Sequence, residues 1–190
     1  QKGSAQVKSC ILLSAMKTPG LTSIKCVPSR DHTEKLFKHL NLPIKITKKK
    51  NYQLIKYSGK KNYKGFDYNI PGDISSSAFF IVLTLLSKNS KLIIKNININ
   101  PTRTGIIKIL NKMGAKIKFL NKRTYMGEKT ADIKVSSSNK LKGINCPTSL
   151  NSSAIDEFLI IFLVAAKAKG VSTFKNLSEL NQKESPRLKI

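Results

Sequence analysis

The strongest constraint on this chain is a run of nine apolar residues, Phe158 to Ala166, that follows Asn-Ser-Ser-Ala-Ile-Asp-Glu at 151–157 and ends at Lys167, Lys169 and Gly170. A bilayer crossing takes about 20 such residues, so this run belongs inside a folded core as a helix. The segment before it reads as a capped helix start, with Asp156 and Glu157 in the first turn at the positive end of the helix dipole. The same design occurs twice earlier. Gly3-Ser4-Ala5-Gln6 opens the stretch Val7 to Met16, closed by Pro19-Gly20, and Gly72 to Ser77 opens Ala78 to Leu86, closed by Ser87 to Ser90. Three copies of one design point to a repeated unit.

The segments between the copies repeat as well. After a helix over Ser4–Lys17, Leu21–Val27 fits a short strand, and Ser29 serves as N-cap of a second helix with Asp31 and Glu34 in its first turn. That helix carries Leu36, Phe37 and Leu40 on one face and stops before Pro43, and strands Ile44–Thr47 and Tyr52–Ser58 follow. The second unit has a helix over Ser75–Leu86, strand Leu92–Ile97, a helix opened by Asn100-Pro101-Thr102 and stopped by Gly114, then strands Lys116–Leu120 and Ala131–Val135. The third has a helix from Asp156 to Lys169, strand Val171–Leu177, and the opening of a further helix at Ser185. Corresponding helix starts lie about 70 to 80 residues apart, the size of a small α/β subdomain rather than a solenoid repeat. The expected fold class is therefore α/β, with units packed around shared helices. Asn69-Ile70-Pro71-Gly72 marks a boundary and a hinge near 69–73.

Charge and cysteine usage narrow the classes. The formal net charge is +25, but Lys is spread over every segment and Arg is scarce (Arg30, Arg103, Arg123, Arg187), unlike a concentrated nucleic-acid surface. Cys10, Cys26 and Cys146 form no C-x-x-C pair, and neither His32 nor His39 stands at metal-ligand spacing. These features fit a reduced, cytoplasmic protein without structural zinc. The lack of Met at the start, and a helix opening cut short after Pro186-Arg187, lead us to expect an internal fragment.

Chemistry concentrates at helix starts. Ser4 and Gln6, Ser29 and Arg30, Ser75 to Ser77, Thr102 and Arg103, and Lys183, Ser185 and Arg187 each stand where unpaired backbone N–H groups favour an anion. Such residues are also ordinary caps. Asp156-Glu157 reads either as acids stabilising a helix dipole or as a general base beside a bound hydroxyl. Lys183-Glu184-Ser185-Pro186-Arg187 reads as a solvated helix start or as an anion-binding cluster with a group for proton transfer.

Seven short motifs, taken together and in order, are similar to those of the 5-enolpyruvylshikimate-3-phosphate (EPSP) synthase family: Ser4-Ala5-Gln6-Val7-Lys8-Ser9, Ser29 to Lys35, Pro71 to Ser76, Asn100 to Gly105, Met113-Gly114-Ala115, Ile155-Asp156-Glu157 and Lys183-Glu184-Ser185. The resemblance spans the whole chain. It implies an EPSP-synthase-like inside-out α/β barrel built from repeated βαβαββ units and present in part. Residues 1–69 would be the last unit of one globular domain, and 70–190 the first unit and part of the second unit of the other. It also implies carboxyvinyl transfer from phosphoenolpyruvate to the 5-hydroxyl of shikimate 3-phosphate, in chorismate and aromatic amino-acid biosynthesis. No metal, organic cofactor, nucleic acid or membrane takes part, and the full-length chain is expected to be a monomer. By the same resemblance Ser4, Ala5, Gln6, Ser29, Asp156 and Lys183 would bind shikimate 3-phosphate, with Arg30 a lesser candidate. Gln6 and Arg187 would bind phosphoenolpyruvate, and Asp156, Glu184 and Lys183 would be catalytic, Asp156 as base on the 5-hydroxyl. Asp73, the serines after it and Arg103 read as structural or hinge elements. Asn181 and Pro186 depart from the family pattern, which has Arg and Asp there, so altered support for the Lys183-Glu184 turn is expected. Other classes remain open: a UDP-N-acetylglucosamine enolpyruvyl transferase, a nucleic-acid-binding module resembling RNA 3'-phosphate cyclases, or a noncatalytic relic.

Overall fold

The computed structural model describes residues 3–59, 63–182 and 185–188. The chain divides into two compact units, one of residues 1–69 with 124–128 and the other of residues 70–123 with 129–190.

In the first unit the order is α1 (Ala5–Ala15), β1 (Leu21–Cys26), α2 (His32–His39), β2 (Ile44–Lys48) and β3 (Gln53–Ser58). Helix α1 starts where Ser4 Oγ accepts a hydrogen bond from the Val7 amide at 3.2 Å. The last strand lies in the middle of the sheet, in the order β1-β3-β2, and is antiparallel to both neighbours. Alternation along β3 buries Gln53, Ile55 and Tyr57, so Ile55 is paired with Ile24 on one side and Ile46 on the other. Leu12 and Ala15 of α1 and Phe37 of α2 cover that face. The turn at 124–128 joins this unit: Glu128 carries ion pairs to His32 Nδ1 at 2.5 Å and to Lys35 Nζ at 3.4 Å. Burial works to raise the Glu128 carboxyl, but His32 and Lys35 outweigh it and hold the group below its ordinary range.

The second unit repeats the order with α3 (Ile74–Leu86), β4 (Lys91–Asn98), α4 (Gly105–Lys112), β5 (Lys116–Tyr125) and β6 (Glu128–Ser136), and again the last strand is central, β4-β6-β5. Helix α5 (Phe158–Lys167) follows. Buried Ile74, Ala78, Ile81, Val82 and Leu85 form the inward stripe of α3, at i, i+4, i+7, i+8 and i+11. They pack with Ile106, Ile109 and Leu110 of α4, Ile133 and Val135 of β6, and Phe158, Ile161 and Val164 of α5. Gly114, at φ +96°, ends α4 in the left-handed conformation that glycine adopts without strain. Among the described residues no helix is long and apolar enough to cross a membrane.

Four expectations about local structure are corrected. Helix α2 begins at His32, three residues after Ser29, with Asp31 at its N-cap position, because the preceding loop is drawn onto α1 by the Lys8 to Arg30 hydrogen bond. The helix expected from Asp156 begins two residues later: Thr148–Ser153 is a 3-10 helix, the chain turns, and α5 starts at Phe158 with Glu157 at its N-cap. Asp156 and Glu157 therefore precede the helix instead of occupying its first turn. Val171–Leu177 forms no strand, only the single bridge of Thr173 to Asn145, since the facing segment is itself irregular. Residues 185–188 form a turn and not a helix start, with the Arg187 amide donating to the Leu180 carbonyl at 3.2 Å.

Candidate active site

In the first unit the start of α1 and the loop at 27–31 are brought together. Gly3 eases their approach: a Cβ there would lie 3.1 Å from the Val27 carbonyl oxygen, a tight contact. Lys8 Nζ donates to the Arg30 carbonyl at 2.7 Å, and Ser9 Oγ shares a hydrogen bond of 2.7 Å with Thr33 Oγ1. This juxtaposes Ser4 and Ala5, both half-buried, and exposed Gln6 with Ser29 and Arg30. Ser29 Oγ is buried and has no hydrogen-bond partner in the structure. A hydroxyl left in that state beside a helix N-terminus suits a polar ligand.

In the second unit Asp156 lies between two guanidinium groups, with Arg103 Nη1 3.6 Å from Oδ2 and Arg187 Nη1 3.9 Å from Oδ1. The Asp156 side chain keeps about a quarter of its exposure, 25 %, so a solute can reach it. Arg103 also donates through Nη2 to Ser75 Oγ at 2.6 Å and to Asp73 Oδ1 at 3.0 Å. The Ser75 hydroxyl in turn donates to buried Glu157 in a short hydrogen bond. Burial tends to raise the Asp73 carboxyl, but the Ser76 amide and the Arg103 guanidinium outweigh it and hold the group below its ordinary range. Close approach of backbone makes the assembly geometrically feasible. A Cβ on Gly105 would lie 2.5 Å from Ser153 Oγ and 2.7 Å from Ser153 C, so only glycine lets the start of α4 rest on the segment leading to Asp156.

Lys183 and Glu184 lie outside the described residues. Beside them, Asn181 Oδ1 accepts from the Leu188 amide at 3.0 Å and closes the loop that carries Arg187. Asn at this position thus supplies a side-chain acceptor for a backbone N–H.

Of this network, Ser75 and Arg103 read from sequence as structural or hinge elements, and Glu157 only as one of a pair of acids that either stabilise a helix dipole or act as a base. One signal was present. A cation just before a helix start is opposed by the helix dipole, so Arg103 had no local reason to be there.

Within the second unit, a carboxylate set between two guanidinium groups can hold an anion and accept a proton from a bound hydroxyl. The sequence model of EPSP synthase (3-phosphoshikimate 1-carboxyvinyltransferase) matches residues 1–190. The chain belongs to the EPSP synthase family. A 3-phosphoshikimate 1-carboxyvinyltransferase of Legionella pneumophila (strain Corby) is 47% identical over 188 residues, covering 98% of this chain and 42% of its own. The enzyme of that name from Zymomonas mobilis subsp. mobilis is 43% identical over 188 residues, with 98% and 41% covered. Among solved structures, EPSP synthase from Acinetobacter baumannii superimposes with a TM-score of 0.87 at 39% identity, covering 99% of this chain and 42% of that one. The chain thus spans under half the length of these relatives, and its mixed α/β units are a partial EPSP-synthase-like fold.

Proposed function

We propose that a full-length protein carrying this chain transfers the carboxyvinyl group of phosphoenolpyruvate to the 5-hydroxyl of shikimate 3-phosphate and releases phosphate. The observation that carries this reading is Asp156 held between Arg103 and Arg187, at 3.6 and 3.9 Å. The 5-hydroxyl oxygen adds to C2 of phosphoenolpyruvate as its proton passes to Asp156, and the methylene carbon gains a proton, giving a tetrahedral intermediate. Phosphate then leaves C2 and the methyl carbon loses a proton, which forms the enol ether. Asp156 is the base, Arg187 a cationic partner for phosphoenolpyruvate, and Glu184 with Lys183 the groups for the carbon-bound proton. Ser4, Ala5, Gln6 and Ser29, with Lys183, hold the phosphosugar, Arg30 adds a lesser contact, and Gln6 also reaches phosphoenolpyruvate.

In this reading residues 1–69 close one globular domain, 70–190 open the other, and the segment 69–73 is the hinge. The reaction needs neither metal nor organic cofactor. The enzyme is a cytoplasmic monomer of aromatic amino-acid biosynthesis, and the 190-residue chain alone turns over nothing measurable.

The test is phosphate release by the full-length protein with both substrates, compared with Asp156→Ala. Turnover that requires both substrates and falls by about 10² to 10⁴ in the variant, the range for loss of a general base, is expected. A folded full-length protein that releases no phosphate would sink the reading.

A further inference from the structure

The most unusual feature outside the acid–base site is a buried ion pair. Lys8 Nζ lies 2.5 Å from Glu34 Oε1, and the two side chains keep 1% and 2% of their exposure. Lysine and glutamate are among the residues least often enclosed in this way. An apolar pair of similar volume holds two helices together at least as well as a buried ion pair, so stability does not explain the choice. What the pair supplies, and apolar side chains cannot, is direction.

That direction is visible in the third partner. With Glu34 fixing its ammonium group, Lys8 donates to the Arg30 carbonyl at 2.7 Å. A peptide group is planar, so holding this oxygen sets the orientation of the Arg30–Asp31 link and with it the loop that carries Ser29. The same lysine stands one helical turn beyond Ser4, within the helix that presents Ala5 and Gln6. One buried ammonium therefore connects both arms of the proposed phosphosugar site, and Ser9 with Thr33 adds a second tie at 2.7 Å.

We infer that Lys8 and Glu34 are positioning residues for the shikimate 3-phosphate site, setting the spacing between the start of α1 and the Ser29–Arg30 loop. This rests on the proposed function. It does not make either residue a substrate contact.

The test uses the full-length protein and three variants: Lys8→Met, Glu34→Leu, and the double variant Lys8→Met/Glu34→Leu. Each single change leaves one buried charge unpaired and is expected to lower thermal stability. The double variant removes both charges and is expected to regain stability. In that stable double variant the KM for shikimate 3-phosphate is expected to stay at least tenfold raised, with KM for phosphoenolpyruvate and kcat within about threefold of the parent. A double variant that regains both stability and the parent KM would reduce the pair to a packing role and overturn the inference. So would a double variant that stays unstable, or one in which kcat and both KM values change together. Absence of turnover in the unsubstituted protein overturns the functional reading and this inference with it, whereas failure in the variants alone leaves the functional reading standing.

Discussion

At the scale of single residues, Arg103 organises the second unit's site. It stands two residues ahead of α4, where the helix dipole opposes a cation, and three acceptors hold it there: Asp73, Ser75 and Asp156. Its removal would take away the guanidinium 3.6 Å from Asp156 Oδ2 and shift the position and charge environment of that carboxylate. Arg103→Met is therefore expected to lower kcat by about 10²-fold in the full-length protein, the scale on which small misplacements act, with the thermal midpoint moved far less. Steady-state kinetics beside a melting curve checks this, and an unchanged kcat would return Arg103 to a purely structural role. Asp156, Arg187 and the start of α1 were legible as candidates because their motifs are local. Arg103 was read as structural or hinge, because its partners lie 30 and 53 positions away along the chain and no pattern of spacing announces them.

At the scale of elements, the helices show how caps and stops divide the work. Asp73 caps α3 by accepting from the Ser76 amide at 2.8 Å, and Asp73→Ala is expected to cost about 1 kcal/mol in a urea titration of this chain at pH 7. The pH dependence has a definite sign. The carboxyl is depressed in the folded state below its ordinary value of 3.8, so its contribution is complete above that value and is lost as pH falls through the lower folded-state value. The stability difference between the parent and Asp73→Ala should accordingly shrink toward zero in acid, and a difference that instead grows below pH 3.8 would contradict the assignment. Helix α3, bounded by Asp73 and Ser87, was readable because its signals are contiguous. The start of α5 was not. Asp156 and Glu157 look like first-turn acids, but packing of Gly105 against Ser153 and the Ser75–Glu157 hydrogen bond hold them ahead of the helix.

At the scale of the whole molecule, α3 and α5 are apolar around much of their circumference, yet each buries only part of it. Phe79, Phe80 and Leu83 are 65%, 60% and 65% exposed, and Leu159 and Leu163 are nearly half exposed. Such a surface should bind an apolar dye such as anilinonaphthalene sulfonate. The triple variant Phe79→Ser/Phe80→Ser/Leu83→Ser is expected to lose much of that fluorescence with an unchanged far-ultraviolet spectrum, and equal dye binding would show that these side chains are not the exposed patch. The repeat itself needed no coordinates. Helix, strand, helix, strand, strand can be read twice from apolar periodicity, caps and glycines, because these act within a few residues of one another. Sequence alone also carried the family resemblance, through short motifs that keep their order. What tertiary structure decided was everything that depends on distant groups meeting: the central place of β3 and β6 in their sheets, the Lys8–Glu34 pair enclosed between α1 and α2, and Asp156 between two arginines. A hydrogen bond or ion pair forms only where folding has brought its partners within a few ångströms, and packing, which overrides local preference at Ser29, Asp156 and Val171, determines which partners those are.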